Sequence, residues 1–222
     1  MMIAGGIIGG RLPEVVFTDF DGSGSDLSTY TFTGVNFGKP SARRMVIVGF
    51  RGTALGGSLD NPDACTIGGV AATLAREGQG GTFVQLWIAA VPAGETGNVV
   101  VSRSGGSMTA GCIAVWAAYN LSSAIPFDTM YQNVGSASGH TINLSLNTPP
   151  NGIVVGLASS SYSGAHTCTW TGLTEDVDET PVEEAELFGA SAFKVPAATP
   201  RAISATISSG AGVFRGVAAS WR

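Results

Sequence analysis

Apolar residues fall on every second position through most of this chain, in runs too short for anything but strands. Residues 28–33 read STYTFT, with Tyr30 and Phe32 on one face. Residues 141–146 (TINLSL), 166–171 (HTCTWT) and 202–208 (AISATIS) repeat the pattern. A period of two belongs to an extended strand, whose side chains point alternately to opposite faces. In residues 82–91 (TFVQLWIAAV), Phe83, Gln85 and Trp87 share one face and Val84, Leu86 and Ile88 the other. Residues 45–50 (MVIVGF) are continuously apolar, as in a strand covered on both sides. Residues 113–119 (IAVWAAY) have helical propensity but no cap and no polar face, so they read as a buried strand.

The boundaries between runs have turn chemistry. Pro92-Ala93-Gly94 followed by Thr96-Gly97 links two strong runs, with Pro presetting φ and Gly supplying positive φ. Pro149-Pro150-Asn151-Gly152 does the same before residues 152–158 (GIVVGLA). Many short strands at regular spacing predict an all-β fold. We read residues 13–222 as one domain, a single antiparallel β-sandwich of jelly-roll-like order, with no internal repeat.

The surface of such a sandwich has to be made with few charges. Charged residues are 12% of the chain, about half the usual share. Net charge is −5, and Arg43–Arg44 is the largest basic cluster. Nucleic-acid binding needs a basic footprint to displace counterions from phosphates, so no nucleic-acid partner is expected. Residues 1–12 form an apolar, glycine-rich N-terminal arm containing Ile3, Ile7 and Ile8. It has no basic region at its start and is too short to span a bilayer. The chain is therefore expected to begin near Met1, to be soluble and to insert in no membrane. The arm either frays or docks on a neighbouring subunit, with Ile3, Ile7 and Ile8 as its contacts.

No motif for chemistry emerges. There is no Ser in a G-x-S-x-G frame, and Gly38-Lys39 runs into Pro40, which excludes a phosphate loop. The three cysteines, Cys65, Cys112 and Cys168, are widely spaced in apolar or alternating runs. They read as small buried hydrophobes, the alternative being one disulfide and a spare thiol. His140 and His166 lie at loop edges, where a surface role outweighs that of a general base or a zinc ligand.

One segment demands a choice. Seven of the sixteen carboxylates fall between Glu175 and Glu186. An EF-hand reading from Asp176 fails, because its sixth position is Pro181 in place of Gly. Asp176 and Asp178 alternate along an extended segment and so share a face, which makes them the candidate cation ligands. Catalytic carboxylates are the weaker alternative. A solvated rim is the reading favoured, since charge and Pro deter unwanted strand pairing. Trp170, next to this stretch and flanked by Thr169 and Thr171, is the candidate for stacking on a sugar ring, although a strand Trp is more often core. No catalytic residue and no cofactor is expected.

Five stretches together carry a resemblance: CTIGGVAATL (65–74), LWIAAVPAGETGNVVVS (86–102), CIAVWAAYNL (112–121), PPNGIVVGLASS (149–160) and TWTGLTEDVDE (169–179). Their order resembles that in the β-sandwich structural proteins of tailed phages, prophages and gene transfer agents, with Ile153 standing where that pattern has a second Gly. The resemblance spans residues 28–220. It implies a virion component: a fibre, spike or decoration on head or tail, oligomeric, held by other virion proteins and able to meet host surface glycans. It carries over no catalytic residue. A free carbohydrate-binding or lectin-like module is the alternative.

Overall fold

The computed structural model describes residues 11–55, 60–78, 80–135, 140–160, 166–182, 185–208 and 212–222. Among these there are strands, turns and no helix. In the first half the strands pair from the outside inwards. β1 (Glu14–Ser23) lies against β9 (Met108–Tyr119), and β2 (Thr29–Asn36) against β8 (Thr96–Ser102). β3 (Arg44–Ala54) lies against β7 (Thr82–Ala90), and β4 (Ala64–Ile67) against β5 (Val70–Ala71), all antiparallel. Nested pairing of this kind is one long hairpin rolled on itself, a jelly roll. Rolling places β3 beside β9 and β4 beside β8 and adds β6 (Thr73–Gly78) at an edge. The two sheets are then β1-β9-β3-β7-β6 and β2-β8-β4-β5.

The second half repeats the scheme. β10 (Asp128–Val134) pairs with β19 (Phe214–Trp221), β11 (Thr141–Asn143) with β18 (Ser204–Ile207), and β12 (Leu146–Thr148) with β17 (Ala198–Arg201). β13 (Gly152–Ser160) pairs with β16 (Ala185–Val195), β14 (Cys168–Thr171) lies on β18, and β15 (Thr174–Val182) on β16. The larger sheet, β10-β19-β13-β16-β15, has the same order as its counterpart. The smaller one is split into β11-β18-β14 and β12-β17. At the split, Leu144 N donates to Ile203 O at 2.9 Å, and Ile203 N to Ser145 Oγ at 3.0 Å. The all-β antiparallel sandwich expected from the alternation is present. Its strands are arranged as two jelly rolls of the same topology in tandem.

Three cores result. Tyr30, Phe32, Val48, Phe50, Phe83 and Val99 fill the first roll. Ile142, Val154, Cys168, Trp170, Phe188 and Ala205 fill the second. Between the rolls, Ile47, Leu86, Trp116, Leu157, Val217 and Trp221 form a third. The central strands β3 and β13 are buried on both faces, so MVIVGF and GIVVGLA are apolar throughout. Trp116 reaches from the first roll to the second, donating from Nε1 to Asp176 Oδ2. A Cβ added to Gly49 would meet its ring at 3.2 Å, and one added to Gly189 of the opposite roll at 2.8 Å. Glycine at these two places lets the indole approach both backbones.

The rolls lie side by side with their strands aligned, which gives the molecule two unlike ends. At one end β3 and β13 begin, β9 and β19 finish, and the described chain starts and stops. Fully buried Arg44 closes loops there, its Nε donating to Val91 O at 2.7 Å and its Nη2 to Gly94 O at 2.7 Å. We call this the terminal end. At the far end Arg51 Nε donates to Ser159 Oγ at 3.2 Å and Arg215 Nη1 to Thr82 O at 2.6 Å, two bonds from one roll to the other.

Candidate functional site

The acidic stretch divides three ways. Glu175 and Glu179 are exposed, as a solvated rim requires. Glu183 and Glu184 lie outside the described residues. Asp176 and Asp178 are not held together, because the register shifts between Glu175 and Val177 and Asp176 is the extra residue. Trp116 Nε1 donates to Asp176 Oδ2 at 2.8 Å, whereas Cys168 N donates to Asp178 Oδ2 at 2.9 Å. One carboxylate serves the contact between rolls and the other the start of β14. Burial raises both above the usual carboxylate range. Among the described residues no three His, Cys, Asp or Glu side chains converge as a set of metal ligands.

Trp170 does not face solvent. It is 8% exposed and lies in the core of the second roll, where Gly156 leaves room for its ring. The stacking role proposed for it from its polar neighbours is therefore corrected: Thr169 and Thr171 point outward, and Trp170, on the alternate positions, points in.

The far end holds a polar cluster. His166 is buried, not at a surface edge. Its Nδ1 lies 2.7 Å from Glu186 Oε1, which also accepts from His166 N at 2.7 Å. Glu186 is completely buried, and its Oε2 has no hydrogen-bond partner among the described residues. Burial pushes this carboxyl up, against the opposing pull of His166 and of Arg51. Ser159 Oγ donates to Glu186 O at 2.9 Å and accepts from Arg51, so the cluster continues into the first roll. A histidine–carboxylate pair can orient an imidazole for proton transfer. Here the two side chains are 5% and 0% exposed, and they present no open face to a substrate.

Two concavities are open. Towards the far end of the first roll, a cavity of about 540 Å³ is lined by Asp60, Asn61, Asp63, Glu77, Trp87 and Ser104, among others. Its groups are fixed by one another. Asn61 Nδ2 donates to Glu77 Oε2 at 2.7 Å, and Trp87 Nε1 donates to Gln85 Oε1 at 3.2 Å. Ser104 donates from both N and Oγ to Asp63 Oδ2, and its hydroxyl holds the Asp63 carboxyl below its ordinary range. No spacing in the sequence joins these residues. They come from β6, β7 and the loops before β4 and after β8.

At the terminal end, a groove of about 820 Å³ runs between the rolls. Leu12, Val16, Tyr119 and Phe193 supply its apolar surface, and Arg11, Lys39, Lys194 and Glu14 its charges. Leu12, Val16 and Phe193 are 47%, 44% and 50% exposed. The arm residues Ile3, Ile7 and Ile8 lie outside the described residues, but the described chain begins at Arg11, in the groove wall. The three cysteines are buried, as expected, and form no disulfide. Desolvation pushes the Cys65 and Cys112 thiols up to about 12.

No protein-family model matches this chain, and no curated protein matches it.

Proposed function

We propose that this protein is a non-catalytic structural component of a phage or phage-like particle, a fibre, spike or decoration that stands on its terminal end and works as an oligomer. The observation that carries the reading is where the apolar surface lies. Ile125, Phe127, Phe193 and Leu12 are four of the five most exposed large apolar side chains among the described residues, and all are at the terminal end. Apolar surface gathered at one end marks an interaction site. A charge-poor exterior suits close contact with neighbours, because few ions have to be desolvated. Jelly rolls serve as viral shell domains, but they also serve as lectins and enzymes, so the fold alone does not decide.

The deciding experiment is light scattering on the full chain and on a chain lacking residues 1–12. A discrete oligomer that is lost on truncation supports assembly through this end. A monomer in both preparations moves the assignment to the second reading, a carbohydrate-binding module. That reading is favoured by the far-end cavity, whose fixed carboxylates and amide beside the exposed Leu74 suit the hydroxyls and the apolar face of a sugar. It predicts saturable saccharide binding that Glu77→Gln abolishes.

A further inference from the structure

We infer that the groove at the terminal end receives the N-terminal segment, residues 1–10, of a second copy of this chain; the inference rests on the assembly reading above. The segment MMIAGGIIGG has no charged side chain, and its Met and Ile residues need a place to be buried. The groove offers apolar side chains from both rolls, Val16 on β1 and Phe193 on β16, at the place where the described chain begins. Ten residues reach about 33 Å when extended, enough to pass from one molecule to the next.

Geometry selects a second copy over the same chain. To cover Val16 and Phe193 of its own groove the segment has to run back along residues 11–13. That stretch offers a returning strand little. Pro13 has no N–H to donate, and Leu12 O already accepts from Asn120 Nδ2 at 3.3 Å. Proline before β1 also disfavours a helical turn at Leu12. A segment arriving from another molecule needs no reversal, and Phe193 and Val16 remain open to it. Phe193, with Lys194 Nζ 5.5 Å from its ring centroid, is the side chain on which the contact centres.

The test pairs Ile7→Cys with Phe193→Cys in the full chain under mild oxidation. The native thiols are buried and do not compete. Disulfide-linked multimers are expected. An intramolecular disulfide, or none, overturns the inference. Phe193→Asp should weaken self-association roughly 30-fold or more, as loss of an aromatic hot spot does, with an unchanged melting temperature because the residue is half exposed. Mixing then provides a check independent of any single variant. The Phe193→Asp chain donates its arm, a chain lacking residues 1–10 donates its groove, and the two should form a complex that neither forms alone. An oligomer that survives Phe193→Asp overturns this inference and leaves the assembly reading standing. A full chain that is monomeric at every concentration overturns both.

Discussion

The two rolls share a strand order but not a way of closing their far ends. Cys65-Thr66-Ile67 opens β4 of the first roll as Cys168-Thr169-Trp170 opens β14 of the second, with the first and third side chains buried in each. Two residues before the cysteine the chemistry diverges. The first roll has Asp63, exposed and bonded to Ser104 at the rim of an open cavity. The second has His166, buried on Glu186. The central tryptophans differ in the same way. Trp116 and Trp221 both fill the core between the rolls, yet Trp116 donates across to Asp176, whereas Trp221 donates to Ala124 O in the connection between halves. Topology follows from which faces are apolar. Individual polar contacts follow from which groups burial leaves needing a partner.

Substitutions at these paired positions can break that comparison. Trp116→Ala opens the core between the rolls and should cost about 3–5 kcal/mol in denaturant unfolding. An unaltered midpoint would show that the rolls do not depend on their shared core. His166→Ala leaves buried Glu186 with the backbone N–H of position 166 but without the imidazole and should cost about 3 kcal/mol, whereas Asp63→Ala, at the matching place but exposed, should cost under about 1 kcal/mol. Equal losses at the two sites would remove the distinction between a sealed end and an open one.

A smaller effect concerns pH. Burial raises the Asp176 carboxyl in the folded state. The folded protein therefore holds this proton more tightly, and the stability it contributes is present below the ordinary carboxylate pKa and lost as pH rises through the raised one. Asp176→Asn, which keeps an acceptor for Trp116, should flatten melting temperature against pH across that window. A slope identical to that of the parent protein would rule out Asp176 as its source.

Much of this was legible in the alternation. His166, Cys168 and Trp170 alternate in one direction and Glu186, Phe188 and Ala190 in another, so a period of two carried two residues before β14 marks the histidine as buried, and the same period within β16 marks the glutamate. The tandem repeat also left traces. Val-Pro-Ala follows β7 at Val91 and recurs at Val195, and a Gly-x-x-Ala-x-Trp pattern lies in both β9, from Gly111, and β19, from Gly216. Loop lengths and core identities differ enough between halves to hide it.

What the sequence determined by itself is local: strands rather than helices, one or two covered faces for each, turns where Gly and Pro stand, and inward-pointing cysteines. Each depends on residues near one another in the chain, so periodicity and turn chemistry suffice. The tertiary structure decided the rest: that the hairpin rolls up twice, that one extra residue at Asp176 turns a carboxylate onto Trp116, and that Arg51 meets Ser159 across 108 positions of chain. Those outcomes depend on register and on packing between sheets. In a strand a shift of one residue exchanges the two faces, and no local pattern records which partner lies opposite.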